Sequence, residues 1–283
     1  MVNVSVARRY ARALLEAAAG ADTDRLSAQL ESLTALVRDR PELRAWCGRL
    51  EALAAGAPPE AEIYRGRNLI FRTTVDGREV AVKRFPVGSP GKRVIYRFRA
   101  TKAVRTFDHA VRLAGLGVGT PAPLAAVEVR RRGLPTASYF CSEYIPQFRE
   151  ARVLRFPDTP DRARLLGILG AFVGRLHELG VLHRDLTAGN ILLVPDPVHA
   201  DGLEFRLVDI NRMRFGRVGT RAGIANLVQL RLNDEGELFA GYCRARALDP
   251  ARLRSLYRAR VLLRSFRQHL KERTRPWRRR IGF

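Results

Sequence analysis

The sequence predicts an α+β protein of two lobes, a small antiparallel sheet lobe followed by a helical lobe, with a short N-terminal all-α segment. Three observations predict it. Residues 62 to 145 are rich in β-forming runs joined by tight-turn pairs, Asp76-Gly77 the clearest. Apolar stripes at helical spacing dominate after residue 146, beginning with "RARLLGILGAFVGRLHELGV". The small-residue, proline-containing stretch "AAGAPPEAE", 54 to 62, reads as a linker that separates residues 1–55 from the rest.

Composition narrows the class. Of 283 residues, 46% are hydrophobic and 28% charged, the balance of a soluble globular protein. The longest apolar run, Leu165 to Gly174, is well short of the roughly 18 residues a membrane span needs. Charges interrupt the first apolar stretch, so no secretory signal is expected there. Cys47, Cys141 and Cys243 are far apart and lack metal-type spacing, as expected of buried thiols in a reducing cytosol. The formal net charge of +23 points to an acidic partner: nucleic acid, an anionic membrane or a phosphorylated substrate. An arginine-rich composition throughout is the plainer explanation. Residues 1 to 55 argue against it, with eight Arg and seven acids, whereas residues 252 to 283 hold twelve basic residues and only Glu272 as an acid.

The segment 1–55 shows three helical patterns. Val4 to Ala19 is alanine-rich, Asp24 to Arg38 repeats Leu26, Leu30, Leu33 and Val37, and Pro41 to Leu53 opens with proline at a helix-start position. Strands follow. In "VAVK", alternation puts Val80 and Val82 on one face and Ala81 and Lys83 on the other. A lysine on a central strand is expensive to bury without an anion, although at a sheet edge it would simply reach water. The next helix, "RATKAVRTFDHAVRLAGLG", has an apolar stripe of Val104, Phe107, Val111 and Ala114, and its single acid is Asp108. Two strands around Arg132-Gly133 lead to Glu143-Tyr144-Ile145, and the long helix with Leu165, Leu169, Phe172, Val173 and Leu176 follows.

That helix runs into "HRDLTAGNILL", 183 to 193. His183, Arg184 and Asp185 in a row, with Asn190 five residues after the aspartate and an apolar run beyond, form the catalytic-loop pattern of protein-kinase-like phosphotransferases. A second element follows 24 residues after Asp185: "FRLVDINRMRF", where a β-run ends at Asp209 in the place of a kinase metal-binding aspartate. Taken alone, Asp209 is as well explained by an ordinary strand end. The order lysine, loop, second aspartate predicts a two-lobed protein-kinase-like fold, 62–145 forming the sheet lobe and 146–283 the helical lobe with a basic tail.

Phosphoryl transfer needs positioning and charge neutralisation. Asp185 is the expected catalytic residue, orienting the acceptor hydroxyl and taking its proton. Lys83 would hold the α and β phosphates of ATP, with Asp108 as its carboxylate partner. Ala81 would leave room for adenine, which the backbone of Glu143 to Ile145 would bind. Asn190 and Asp209 offer hard oxygen ligands for Mg²⁺. His183 reads as a brace and His177 as a helix residue packed near the loop. Asp108 departs from the usual glutamate and is equally readable as a surface residue. Ile210-Asn211 replaces the usual Phe-Gly, and "YRGRNLI" has one glycine where a glycine-rich loop is usual.

Residues 62 to about 270 resemble the bacterial lipopolysaccharide kinases, the Kdo/heptose kinase group. "IYRGRN", "VAVKRF", "FDHAVRLAGLGVGTPAPLAAVEV", "LHELGVLHRDLTAGNILL" and "VDINRMRF" carry the resemblance. It implies ATP-dependent phosphorylation of a lipopolysaccharide-core sugar by a protein peripheral on the cytoplasmic face of the inner membrane, with nucleic acid not expected as a partner. "VNVSVARRYARALLEAAAG" and "PELRAWCGRL" resemble the start of the delta (OSCP-type) subunit of F-type ATP synthases. That second resemblance implies a contact with the synthase through residues 1–50, unless the segment is a gene-start artefact or an unrelated alanine-rich helix. Two alternatives to the sugar kinase stay open: a kinase-fold enzyme with a protein or small-molecule acceptor, and a non-catalytic adaptor.

Overall fold

The computed structural model describes residues 49–280, apart from 57–60, 67, 76, 200, 233 and 235. The helices expected over 4–19 and 24–38 lie outside these residues, as do Cys47 and the whole of the segment likened to the synthase subunit except its last residues. The chain divides into two compact units: one runs up to Gln147 and includes Arg206–Asn211; the other comprises Phe148–Phe205 and the chain from Arg212 onward.

The first unit is built on a five-stranded antiparallel sheet in the order β1-β2-β3-β5-β4: β1 (Glu62–Arg65), β2 (Leu69–Val75), β3 (Arg78–Pro86), β4 (Pro123–Arg131) and β5 (Leu134–Glu143). Both expected hairpins close with two-residue turns. Val75 pairs with Arg78 across a turn whose Gly77 has φ 73°, and Arg131 pairs with Leu134 across Arg132 (φ 51°) and Gly133 (φ 75°). In the second turn, positive φ at both central residues matches the right-handed strand twist.

The faces of the sheet are covered by helices. On one face Phe71, Val80, Val82, Tyr139 and Cys141 form a core that also contains Leu50 and Ala54 from α1 (Leu50–Ala55). The boundary that composition suggests, after residue 55, thus falls just beyond a helix that supplies the sheet core. Leu50 is fully buried there, and apolar burial outweighs the polar, flexible look of the stretch that follows.

The other face carries α3 (Lys102–Gly115), whose Phe107 meets Phe140 edge to face at 6.5 Å. The buried stripe of α3 is Ala103, Thr106, Phe107, Ala110, Val111 and Leu113. It is rotated from the expected one: Val104 is half-buried and Ala114 exposed, because the small side chains at 103 and 110 let the helix approach the sheet. The helix ends in a Schellman turn, with Gly117 at φ 68°, the Gly117 N–H donating to the Ala114 carbonyl and the Val118 N–H to that of Leu113. Between β3 and α3 lies α2 (Pro90–Phe98), no residue of which is buried.

The second unit contains α4 (Arg162–Glu178), α5 (Thr220–Leu227), α6 (Glu237–Ala245) and α7 (Pro250–Arg280). A strand pair joins β7 (Val181–His183) to β10 (Met213–Phe215), and a small sheet runs β6 (Arg149–Glu150), β8 (Ile191–Pro195), β9 (Leu203–Leu207). The last two residues of β9 belong to the first unit. Helices α4 and α6 meet backbone to backbone. A Cβ on Gly170 would overlap the Leu238 carbonyl oxygen, and one on Gly241 the Gly167 carbonyl.

An apolar stripe of Leu253, Leu256, Leu263 and Phe266 predicts that α7 packs on the helical lobe; in its first turns Leu253 and Leu256 are half-buried, and Tyr257 is buried and stacked on Phe239 at 4.6 Å. Farther along the stripe turns outward: Leu263 is exposed and Phe266 is 64% exposed, contrary to the expectation that both pack on the lobe. Among the described residues no helix is long and apolar enough to cross a membrane.

Candidate active site

In the first unit, β3 presents Lys83 opposite Ile70 and Phe140. Its Nζ donates to Asp209 Oδ1 at 2.6 Å. The ion pair assigned from sequence to Asp108 is therefore made by Asp209. An aspartate on α3 is one methylene shorter than the usual glutamate, and Asp108 is engaged in interactions of its own. Asp209 holds a left-handed backbone, φ 55°. Such a conformation is costly for a residue other than glycine and persists only where neighbours impose it.

Those neighbours are identifiable. The Leu207 N–H donates to the Gly119 carbonyl at 2.8 Å, and Thr120 Oγ1 donates to the Leu207 carbonyl at 2.8 Å. His109 Nδ1 donates to the Ile210 carbonyl at 2.7 Å, and Asn211 Nδ2 to Asp209 Oδ1 at 2.8 Å. The "GVGTP" stretch thus anchors the segment that bears Asp209. Ala81, on the Lys83 face of β3, is half-buried between Arg72 and Ser142 on the flanking strands. Beyond β5, the Glu143 and Tyr144 amides are committed to the Ala122 and Glu79 carbonyls. The Glu143 carboxylate accepts from the Ala122 amide and from Arg206, both at 3.3 Å. Ile145 is buried just after them.

In the second unit the loop after β7 folds on itself. Asn190 Nδ2 donates to the Asp185 carbonyl at 2.9 Å, and the Asp185 N–H donates to His183 Nδ1 at 3.1 Å. The Thr187 N–H reaches the Asp185 carbonyl at 2.8 Å. Leu186, fully buried, donates its N–H to Gln229 Oε1 at 3.2 Å. These bonds leave the half-buried Asp185 carboxylate and the Asn190 Oδ1 available for chemistry. Arg184 N–H binds the Arg212 carbonyl at 2.9 Å and fixes the loop to β10.

Beneath the loop runs a buried relay that sequence reading missed. Arg246 donates to the Tyr242 hydroxyl at 2.9 Å, and that hydroxyl is 3.0 Å from His177 Nδ1. His177 Nε2 is 3.0 Å from Asn226 Oδ1, and Asn226 Nδ2 donates to the His183 carbonyl at 2.8 Å. Burial pushes the His177 pKa down to about 4, so the ring is neutral at pH 7. Since Asn226 Oδ1 can only accept, the proton sits on Nε2 and Tyr242 donates to Nδ1. No local motif marks Asn226, Tyr242 or Arg246; only His177, six residues before His183, carries a hint.

The structure thus brings Lys83 to Asp209 in one unit and Asp185 to Asn190 in the other. A carboxylate and an amide oxygen are the donor types that suit Mg²⁺, which keeps several waters and binds through one or two side chains plus substrate phosphates. Among the described residues no cluster of three or more His, Cys, Asp or Glu offers a self-sufficient metal cage.

The profile of the lipopolysaccharide kinase (Kdo/WaaP) family matches residues 82–241, more than half of the chain. A solved structure described as WaaP in complex with acyl carrier protein superposes with a TM-score of 0.53 at 21% identity, covering 82% of this chain and 96% of that one. Bifunctional tRNA threonylcarbamoyladenosine biosynthesis proteins are also similar. The one from Methanosarcina barkeri is 29% identical over 162 residues, covering 53% of this chain and 29% of its own length. The one from Methanothermobacter thermautotrophicus is 28% identical over 201 residues, covering 70% and 32%. The chain spans about a third of the length of these curated relatives. With its sheet unit, its helical unit and its loop of His183 to Asn190, the chain belongs to the lipopolysaccharide kinase (Kdo/WaaP) family of ATP-dependent kinases.

Proposed function

We propose that the protein transfers the γ-phosphoryl group of ATP to a sugar hydroxyl of the lipopolysaccharide core, Kdo or heptose, at the cytoplasmic surface of the inner membrane. The observation that carries this reading is the closed loop in which Asn190 clamps the Asp185 carbonyl while the Asp185 side chain stays free to meet a hydroxyl. Asp185 orients that hydroxyl and takes its proton as the new O–P bond forms. Lys83 would hold the nucleotide phosphates, and Asp209, the residue it pairs with, would offer a carboxylate to the metal. Ala81 and the backbone at Glu143 and Ile145 receive the adenine. Magnesium, held through Asn190 and Asp209, would neutralise charge on the phosphates.

A surface location is supported by apolar side chains set among basic ones. Val94, Ile95 and Phe98 on α2 are exposed beside Lys92, Arg93 and Arg97, and Leu262, Phe266 and Leu270 are exposed along α7. Any contact with ATP synthase rests on residues 1–50 alone. A second reading, a different acceptor, is favoured by the similarity to tRNA-modification proteins. The test is transfer of label from γ-labelled ATP by the full chain, offered a lipopolysaccharide core oligosaccharide, a protein acceptor and tRNA in parallel. Label on the sugar that disappears in Asp185→Asn supports the proposal. Label only on protein or tRNA overturns the sugar assignment, and wild-type turnover in Asp185→Asn overturns the role of the loop.

A further inference from the structure

A cavity of about 310 Å³ opens in the second unit between α5, the turn that follows it and α7, with Gln229, Arg231, Arg260, Leu263, Arg264 and Arg267 on its walls. That volume is at the small end of the roughly 300–1,000 Å³ usual for small-molecule sites. One residue of its wall, Gln229, is hydrogen-bonded to the catalytic loop: its Oε1 takes the N–H of Leu186, next to Asp185, so its amide N–H₂ remains as a donor.

Four guanidinium groups on one small cavity repel one another. Arg260, Arg264 and Arg267 follow at i, i+4 and i+7 on α7, a like-charge spacing that destabilises an isolated helix. Among the described residues none of these four arginines has a carboxylate partner, and Arg264 Nε is buried without a hydrogen bond. Burial and then the Arg231 charge lower the Arg264 pKa, against the opposite pull of Asp185, so both charges are close to it. Arg231 itself stands in the left-handed region, φ 58°. Four arginines with only the Asp185 charge near them, and a buried guanidinium N–H without a hydrogen bond, suit a compact anion.

We propose that this cavity holds an oxyanion, phosphate or carboxylate, that the acceptor carries apart from the hydroxyl to be phosphorylated. The proposal rests on the kinase reading above and narrows its acceptor to an anionic sugar. A nucleic acid or a membrane surface would call for an extended basic stripe; a cavity of about 310 Å³ suits a small molecule whose oxyanion meets the arginines.

The experiment separates the cavity from the function. The full chain, saturated with Mg²⁺ and a non-hydrolysable ATP analogue, is titrated with inorganic phosphate and with acetate, and its melting temperature is compared with chloride at equal ionic strength. Saturable stabilisation by phosphate, by acetate or by both supports the site and says which oxyanion it takes; stabilisation by neither overturns it. Arg264→Gln should weaken that binding at least tenfold and raise the acceptor KM by a similar factor, with the nucleotide KM within twofold, while Arg264→Lys recovers part of the loss. Unchanged binding in Arg264→Gln overturns the assignment. If that variant does not fold, Arg260→Gln and Arg267→Gln, toward the rim, decide in its place. A wild-type protein that phosphorylates no sugar would sink the function reading and leave the phosphate titration to judge the cavity.

Discussion

Lys83 Nζ lies 2.6 Å from Asp209 Oδ1, a contact between residues 126 positions apart. The two side chains are 16% and 34% exposed, so solvent screens the pair and its loss costs on the order of 1 kcal/mol, not the several of a fully buried one. Lys83→Met and Asp209→Asn should therefore melt within a few degrees of the wild type yet bind Mg²⁺-nucleotide at least tenfold more weakly. Nucleotide titration of the two variants checks this. Wild-type affinity in both would remove the pair from the phosphate site.

The neutral His177 gives stability a defined pH dependence. Its folded pKa, about 4, lies below the unfolded value of 6.5, so the unfolded chain binds the extra proton. The contribution is fully present above pH 6.5 and is lost as pH falls towards 4. At about 1.4 kcal/mol per pH unit the loss is on the order of 3 kcal/mol. Urea midpoints at pH 7.5 and 4.5 should fall farther for the wild type than for His177→Gln, which cannot titrate. Parallel falls would show that acid acts elsewhere.

Asn226 joins that histidine to the catalytic loop. In Asn226→Ala the His177 Nε2–H and one acceptor position of the His183 carbonyl lose their partner, and each buried unsatisfied group costs about 1–3 kcal/mol. Both stability and phosphoryl transfer should drop, and transfer should not be restored by raising ATP. A variant with full activity would mean the loop needs no support from α5.

Glycines on helices differ sharply in what they tolerate. Gly170→Ala forces a methyl into the Leu238 backbone and should destabilise by about 1–3 kcal/mol or more. Gly91→Ala on α2 meets nothing within 4 Å and should be neutral or stabilise by up to about 1 kcal/mol. Thermal melts of the two single variants test the close contact of α4 with α6; equal effects would rule it out.

The segment before the linker matters to the sheet. A chain starting at Glu60 lacks the buried Leu50, and a lost core leucine costs about 2–5 kcal/mol. It should melt well below a chain starting at Arg49. Equal melting temperatures would show that α1 is dispensable and that the linker at 54–62 is the true boundary.

The site was legible where its residues are bound together by short-range spacing. His183, Asp185 and Asn190 lie within one loop, and β3 carries Lys83 in an alternating run, so residue type and interval suffice to find them. The two hairpins were legible for the same reason, since Asp76-Gly77 and Arg132-Gly133 encode their own turns. The partner of Lys83 was not: whether Asp108 or Asp209 meets it depends on how a helix and a distant loop pack on one sheet. Asn226, Tyr242 and Arg246 were hidden because each acts only through tertiary contacts. The outward-facing end of α7 escaped notice because an apolar stripe states its period and not what lies opposite.

The segment Arg206–Asn211 interrupts the second unit in sequence but is hydrogen-bonded to the first. The chain therefore passes from the sheet unit into the helical unit, back, and out again. No single cut can divide the protein into its two units: a break after Gln147 leaves the aspartate that Lys83 binds on the wrong fragment. Two-fragment complementation would have to return six residues, 206 to 211, to a sheet they do not follow in sequence. Exchanging the sheet unit with that of a relative would require two grafts, one of them this short strand and turn.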